Sequence, residues 1–184
     1  MADSNITKKA LAQALKELMG EMPFDKIKIS DICEKCGMNR KSFYYHFKDK
    51  YDLVNWIFDV EFFQEVSKPE YLLDELTLRK MSEYFYENRD FYRRALRIEG
   101  QNSFREHFRD ILETLIEMFI KGTVLTARDS DFYVKFYTDG IVGSVMRWLK
   151  DKDCMPPDEF NELLETSINI TENSILEIKK NPSE

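Results

Sequence analysis

The sequence has few of the residues that make turns and disulfide bridges. Only 6 glycines and 5 prolines occur among 184 residues, whereas a sheet protein of this length needs many tight turns. Three cysteines are an odd number and too few for a disulfide scaffold, which is typical of a reducing compartment. We therefore expect a mainly helical, cytoplasmic protein without structural disulfides.

Long apolar runs and histidines are also scarce. No run of about 18 apolar residues occurs, so we expect no membrane span, and residues 1–11 do not resemble a signal peptide. Two histidines, His46 and His107, offer little for a metal centre or a catalytic triad. The chain also lacks a glycine-rich phosphate loop and a nucleophile motif, so we expect neither a cofactor nor an enzyme.

Charge is distributed unevenly along the chain. Residues 1–50 contain 10 basic and 7 acidic side chains, whereas residues 51–184 contain 17 basic and 27 acidic ones. A small basic segment on an acidic remainder indicates that only the first segment binds a polyanion.

The first segment has the period of an amphipathic helix. Apolar residues recur at spacings of four, three and four at Leu11, Leu15, Leu18 and Met22. Asn5 is a candidate N-cap. Pro23 disfavours helical geometry in the residue before it, so the helix should end near residues 20–22.

Two short helices follow in close succession. Ser30 is a candidate cap for a helix over residues 31–36, and Gly37 can take the left-handed conformation that ends it. Asn39 is a candidate cap for a third helix over residues 40–47. Two short helices joined by a tight glycine turn predict a helix-turn-helix motif.

The remainder is predicted to be helical as well. Asp49 can cap a fourth helix that continues to about Val66, and the only strand-like pattern is a weak one at Lys26–Ser30. Further helices are predicted over residues 71–88, 91–97, 104–122, 131–150 and 158–180. We therefore predict an all-α protein, with a helix-turn-helix head at residues 1–50 and a helical ligand- or partner-binding and dimerisation body at residues 51–184.

The third predicted helix has the densest group of candidate binding residues. Phe43 and Phe47 share one face, which suits packing against the first two helices. Cations, hydroxyls and an imidazole are left outside, where Arg40 or Lys41 can pair with guanine acceptors and the others can contact phosphates. The candidate DNA contacts are Ser30, Arg40, Lys41, Ser42, Tyr44, Tyr45, His46 and Lys50. The alternative is a solvated basic helix over an aromatic core.

These segments resemble a known family. Residues 29–33 (ISDIC), 37–39 (GMN) and 42–53 (SFYYHFKDKYDL) are similar to the DNA-binding domain of the TetR family of bacterial transcription regulators. The resemblance implies a homodimer, a recognition helix at Arg40–Phe47 and a divergent ligand- or partner-binding body. Cys33 and Cys36 depart from the family pattern, which often has small apolar residues there.

The body resembles one subgroup of that family. Residues 91–96 (FYRRAL), 99–104 (EGQNSF), 136–137 (FY), 140–143 (GIVG) and 148–149 (WL) are similar to regulators of dihydroxyacetone kinase operons. The subgroup includes an activator that is controlled through a partner protein.

Several features of the body have two interpretations. The candidates for a ligand pocket are Trp56, Phe63, Phe85, Tyr92 and His107, although aromatic residues at helical spacing also form plain cores and His107 can be solvated. The candidates for a dimer interface are Gly140, Gly143, Ser144, Trp148, Leu164 and Ile168, although the glycines can also serve packing within one subunit. Cys33 and Cys36 have CxxC spacing, but no second pair of ligands follows to complete a zinc site.

The sequence thus predicts a transcription regulator that binds a pseudo-palindromic double-stranded DNA operator as a homodimer. A small-molecule effector or a regulatory partner protein would control it through the body. The alternative of another class is a protein-interaction adapter of the same fold that does not bind DNA specifically.

Overall fold

The computed structural model describes residues 2–63, 75–120 and 127–180. In these ranges the chain forms nine α-helices and no strand, which confirms the all-α prediction. The helices are α1 (Ala2–Glu21), α2 (Ile29–Lys35), α3 (Arg40–His46), α4 (Lys50–Phe58), α5 (Glu75–Glu87), α6 (Arg89–Ala95), α7 (Phe104–Ile120), α8 (Ala127–Lys150) and α9 (Pro157–Lys180). None of the helices in these ranges has the length and apolarity to cross a bilayer.

Helix α1 ends where the sequence predicts but begins earlier. Its last residue is Glu21, because Pro23 follows in an extended conformation and opens a 3₁₀ turn at Phe24–Lys26. The prediction that Asn5 caps the helix is wrong, since helical structure already begins at Ala2.

Helix α2 also begins earlier than predicted. The backbone N–H of Lys28 donates to the Asp31 carboxylate at 2.8 Å, so Lys28 occupies the cap position and Ser30 lies inside the first turn. The prediction of a Ser30 cap is therefore wrong, because Asp31 satisfies the free backbone donor in its place.

The end of α2 follows the prediction closely. Gly37 has a φ of +68°, the left-handed conformation that glycine adopts without strain. The N–H of Met38 donates to the Cys33 carbonyl at 2.8 Å and the N–H of Gly37 donates to the Glu34 carbonyl at 3.1 Å. These two bonds form a Schellman motif, which sets the direction of the chain into α3.

Helices α3 and α4 have the predicted caps. The Asn39 side chain accepts from the Ser42 N–H at 2.9 Å, and the Asp49 carboxylate accepts from the N–H groups of Tyr51 and Asp52 at 2.8 and 2.9 Å. After Phe58 the helix continues as a π-helical turn at Asp59–Phe63. The predicted end near Val66 lies outside the described residues.

The head and the body share one apolar core. Helices α1, α2 and α3 contact one another, and α4 contacts both α1 and α7. In the body, α7 packs along α8, α5 packs along α9, and α6 contacts both α1 and α8. The weak strand pattern at Lys26–Ser30 becomes the end of the 3₁₀ turn and the start of α2.

Candidate nucleic-acid interface

Helix α3 is anchored on one side by aromatic packing. Phe43 and Phe47 are 0% and 3% exposed, and their ring centroids are 5.8 Å apart. The Phe47 ring also meets the Trp56 ring edge to face at 5.5 Å. Because Phe43 and the C-cap residue Phe47 are both fixed in the core, α3 has little freedom to rotate about its axis.

The helix before it is fixed as well. The Lys35 ammonium on α2 forms ion pairs with Glu21 and Glu17 of α1 at 2.9 and 3.3 Å. The hydrogen bond with Glu21 and then the one with Glu17 raise the pKa of Lys35. The helix-turn-helix therefore rests on α1 through polar contacts at its edge and apolar contacts at its centre.

The opposite side of α3 faces outward. Arg40 and Lys41 are exposed, and neither forms an ion pair with a described residue. Tyr44 and Tyr45 are 52% and 83% exposed. A helix side with two free cations and two phenol hydroxyls can contact base edges and phosphates together.

The remaining predicted contacts lie at the margins of this surface. Ser42 is half-buried and its hydroxyl lies 3.3 Å from the Asn39 side-chain oxygen. The His46 side chain is half-buried, and the centre of its ring lies 4.8 Å from the centre of the Tyr45 ring. Ser30 is exposed in the first turn of α2, with its hydroxyl donating to Asp31 at 3.3 Å.

Lys50 lies elsewhere than the other candidates. Its ammonium donates to the backbone carbonyls of Phe24 at 2.6 Å and Ile27 at 2.8 Å, and it lies 4.3 Å from the centre of the Phe24 ring. Burial lowers the pKa of Lys50. The structure therefore uses this ammonium to hold the 3₁₀ turn against α4, inside the head.

A chain of polar contacts between head and body has no counterpart in the sequence patterns. The Lys16 ammonium on α1 forms an ion pair with Glu61 at 2.5 Å, and Glu61 accepts from the Tyr84 hydroxyl at 3.1 Å. The Tyr84 hydroxyl lies 2.6 Å from that of Tyr92, a fully buried residue whose pKa is raised well above its usual value by burial. Arg94 of α6 adds a second link by donating to the Met19 carbonyl.

The predicted pocket residues do not come together in one place. Phe85 and Tyr92 are fully buried in the aromatic core, with ring centroids 4.9 Å apart, whereas Trp56 packs against the head. His107 is hydrogen-bonded through Nε2 to the Asp59 carboxylate at 2.7 Å. The side chain of Phe63 lies outside the described residues. For Phe85 and Tyr92 the structure favours the core interpretation.

The predicted dimer residues divide into two groups. Trp148 and Leu164 are buried within the single chain. The Trp148 and Phe160 rings are stacked with centroids 4.1 Å apart, and the Trp148 indole N–H donates to the Met155 carbonyl at 2.8 Å. Ile168 is half-buried and packs against the core. Gly140 is exposed, and Gly143 and Ser144 are half-buried on α8.

Two exposed phenylalanines on α8 were not predicted as interface residues. Phe132 and Phe136 are 63% and 57% exposed, and their rings are nearly parallel with centroids 6.1 Å apart. They precede Gly140 by two turns and one turn on the same side of the helix. The sequence did contain a signal, because Phe132, Phe136 and Gly140 follow one another at intervals of four residues. Residues at this spacing lie on one side of a helix.

The CxxC cysteines are enclosed by the head. Cys33 is buried, Cys36 is half-buried, and the Cys36 thiol lies 3.2 Å from the Ile32 carbonyl. Burial raises the pKa of both thiols, which disfavours the thiolate that zinc binding requires.

Two models of known protein families match the two parts of the chain. The family model described as bacterial regulatory proteins of the tetR family matches residues 11–57. A TetR C-terminal model, described as transcriptional regulator C-terminal region, matches residues 75–170, which is more than half of the chain.

One curated relative is the HTH-type dhaKLM operon transcriptional activator DhaS of Lactococcus lactis subsp. lactis (strain IL1403). It is 30% identical over 121 residues, which are 65% of this chain and 64% of that protein. The match thus spans just under two thirds of the relative's length.

Two solved structures share the fold. One is a dihydroxyacetone kinase operon activator DhaS, with a TM-score of 0.66, 22% identity and coverage of 92% of this chain and 96% of that chain. The other is a TetR transcriptional regulator from Streptococcus agalactiae 2603V, with a TM-score of 0.68, 21% identity and coverage of 91% and 96%. Together with the family models, these matches confirm the resemblance of both head and body: the chain belongs to the TetR family of bacterial transcription regulators, which are transcription factors and not enzymes.

Proposed function

We propose that this regulator binds a pseudo-palindromic DNA operator as a homodimer, with α3 of each subunit in a major groove. The observation that carries the proposal is the two-sided environment of α3. Phe43 and Phe47 are fixed in the core, while Arg40 and Lys41 point outward without ion-pair partners among the described residues. In this proposal residues 1–50 form the DNA-binding unit and residues 51–184 the regulatory and dimerisation unit.

The exposed groups divide by position on α3. Arg40 and Lys41 lie in its first turn, and recognition helices contact base edges with their N-terminal residues. Tyr44, Tyr45 and His46 lie one turn later and suit phosphates along the groove edge. Ser30 and Ser42 offer hydroxyl donors to either strand, whereas we assign Lys50 to the head's own structure because its ammonium is bound to carbonyls.

The size of α3 and the surface of α8 support the proposed dimerisation. One short recognition helix buries too little area to bind specifically alone. Phe132 and Phe136 expose apolar rings, and Gly140 on the same side allows a second helix to approach closely. Leu163 on α9 is 56% exposed, and we propose that α8 and α9 of two subunits pack together there.

Control of DNA binding requires that the body sets the position of the head. The contacts of Lys16 with Glu61 and of Arg94 with Met19 tie α1 to the body, and a cleft of about 710 Å³ beside them, lined by Met22, Tyr51 and Arg97 among others, leaves room for movement. A small-molecule effector or partner protein that prefers one head position changes operator affinity only by its differential affinity for the two states.

The experiment is a salt titration of duplex affinity with charge-matched variants. Arg40→Gln/Lys41→Gln removes two outward cations of α3, and Lys80→Gln/Lys152→Gln removes two exposed cations of the body. We expect the wild-type log K to fall with log salt by about 0.9 per phosphate neutralised. The α3 double variant should lose sequence preference and the body variant should bind as wild type. Equal binding by the two double variants would contradict the proposal, and absence of duplex binding by the wild type would favour the adapter alternative.

A further inference from the structure

A second group of cations lies in the acidic body, away from α3. A cavity of about 130 Å³ between the ends of α6 and α8 is lined by Arg93, Leu96, Arg97, Met146, Arg147 and Lys150. Four of these six side chains are cationic and none is acidic. Residues 51–184 as a whole have ten more acidic than basic side chains, so the cluster is opposite in sign to its surroundings.

The residues that the structure describes neutralise little of this positive charge. Arg93 forms an ion pair with Asp90 at 2.9 Å. In the parts of the chain that the structure describes, Arg97, Arg147 and Lys150 form no ion pair. The neighbouring Asp151 carboxylate accepts from the Asp153 backbone N–H at 3.1 Å, which engages it in its own turn.

Helix dipoles explain part of the cluster but not all of it. Both walls are C-terminal helix ends, where cations are favourable because each end has a partial charge of about −0.5. Two such ends and Asp90 offset roughly two of the four positive charges. About two positive charges remain without a partner among the described residues, which matches the charge of a dianion.

The shape and the donors select the class of anion. A volume of 130 Å³ is below the roughly 300–1,000 Å³ of a drug-sized ligand site and suits one charged group. Three guanidinium forks match a phosphate group, whose three terminal oxygens accept several N–H bonds at once. The buried Leu96 and the half-buried Met146 form the apolar part of the wall, and the lining cations Arg97, Arg147 and Lys150 are exposed to solvent, where an anion can reach them.

We infer that this cavity between α6 and α8 binds the phosphate group of a small molecule, either a phosphate monoester or inorganic phosphate. Helix α6 also holds the head, because Arg94 follows Arg93 and donates to the Met19 carbonyl. Helix α8 carries the exposed Phe132 and Phe136 of the proposed dimer surface. A phosphate that draws the two helix ends together therefore changes the position of α1 relative to the second subunit. This regulatory consequence rests on the proposed function, whereas the binding itself does not.

Isothermal titration calorimetry of the full chain tests the binding in about 150 mM chloride. The probes are ribose 5-phosphate, inorganic phosphate and uncharged ribose. We expect saturable binding of ribose 5-phosphate at one site per chain and none of ribose. Arg97→Gln/Arg147→Gln should weaken phosphate binding at least about tenfold, because each lost guanidinium removes charge-assisted hydrogen bonds.

Lys9→Gln/Lys80→Gln is the control, since it removes the same charge from exposed positions outside the cavity, and it should bind the probes as wild type. Thermal unfolding verifies that each variant is folded, and Lys150→Gln is the milder replacement if the arginine variant is not. Binding of inorganic phosphate supports the site whether its affinity equals that of ribose 5-phosphate or is weaker. The difference between the two affinities shows how much the sugar contributes.

No saturable binding of either phosphate probe overturns the inference, as does an equal loss in the control variant. Duplex affinity measured without phosphate separates the two proposals. If Arg97→Gln/Arg147→Gln abolishes DNA binding in phosphate-free buffer, the cations belong to the DNA interface and the inference is wrong. If the wild type binds phosphate but no duplex, the proposed function fails and the phosphate site stands.

Discussion

The ammonium group of Lys50 is bound by carbonyl oxygens of its own head. Replacing Lys50 with Met leaves those carbonyls without their donor, which typically costs about 1–3 kcal/mol of unfolding free energy. Lys41→Met is the control, because Lys41 is exposed and a surface change of this kind usually costs less than about 0.5 kcal/mol. Urea unfolding of the two variants measures the difference. Equal midpoints would show that the Lys50 contacts contribute nothing to stability.

Tyr84 and Tyr92 form a hydrogen-bonded pair, and among the described residues only the Tyr84 hydroxyl has a second partner, Glu61. Tyr84→Phe strands the fully buried Tyr92 hydroxyl, a loss of about 1–3 kcal/mol. Tyr92→Phe leaves Tyr84 its bond to Glu61 and should cost about 0.5–1.5 kcal/mol. The double variant should be no less stable than Tyr84→Phe, because no buried hydroxyl remains at position 92. Chemical unfolding of the three variants tests this order, and additive losses would refute it.

At single residues the sequence predicts exposure better than partners. The spacing of Phe43 and Phe47 correctly separates the buried side of α3 from the side with Arg40 and Lys41. The partner of Lys50 could not be predicted, because it depends on the path of the backbone at Phe24 and Ile27, more than twenty residues earlier in the chain. Lys50 became a candidate phosphate contact through its position at the start of a helix and through the family resemblance, and neither indicates that its ammonium is bound by backbone carbonyls.

At the scale of elements, helix ends were predicted where one residue type dominates the local energy. Gly37, Asn39 and Asp49 each adopt the predicted cap geometry. Asn5 and Ser30 are equally good cap types, but a neighbour offers a competing solution: Asp31 bonds the Lys28 N–H, and helical structure starts before Asn5. A single sequence does not rank two adjacent caps that differ by less than about 1 kcal/mol.

Two glycines should respond oppositely to the same substitution. A Cβ at Gly37 or Gly20 meets no atom within 4 Å, so space does not decide either case. Gly37→Ala forces alanine into a φ of +68° and should cost about 1–2 kcal/mol. Gly20→Ala replaces a glycine within α1 and should stabilise by about 0.5–1 kcal/mol. Thermal or urea unfolding checks the signs, and a stabilising Gly37→Ala would contradict the Schellman geometry.

At the scale of the whole molecule, the contacts between head and body were beyond the sequence. Lys16 and Glu61 are 45 residues apart, and no periodic pattern connects them. The family resemblance predicted a helical body and a homodimer, but not that Trp148 and Leu164 would be buried within one chain. Such pairings depend on the packing of α1 against α4 and α6, which a periodic pattern does not specify.

The exposed phenylalanines of α8 provide a direct test of assembly. Phe136→Glu places a charge on the proposed dimer surface and should convert the dimer to a monomer, since an unpaired charge buried between subunits costs several kcal/mol. Ile6→Glu is the control, because Ile6 is 64% exposed in the head and lies outside that surface. Sedimentation velocity distinguishes the two species. A Phe136→Glu variant that sediments with the wild type would place the dimer interface elsewhere.

Selection of bound duplexes from a random pool tests the central claim most directly, because recognition by two copies of α3 requires a twofold site. The account predicts a recovered motif made of two inverted half-sites. The centres of the half-sites should be separated by about one helical turn, roughly 34 Å, or somewhat more. Arg40→Gln/Lys41→Gln should recover a different motif or none. A recovered sequence without inverted symmetry, or one identical for the wild type and this variant, would contradict the account.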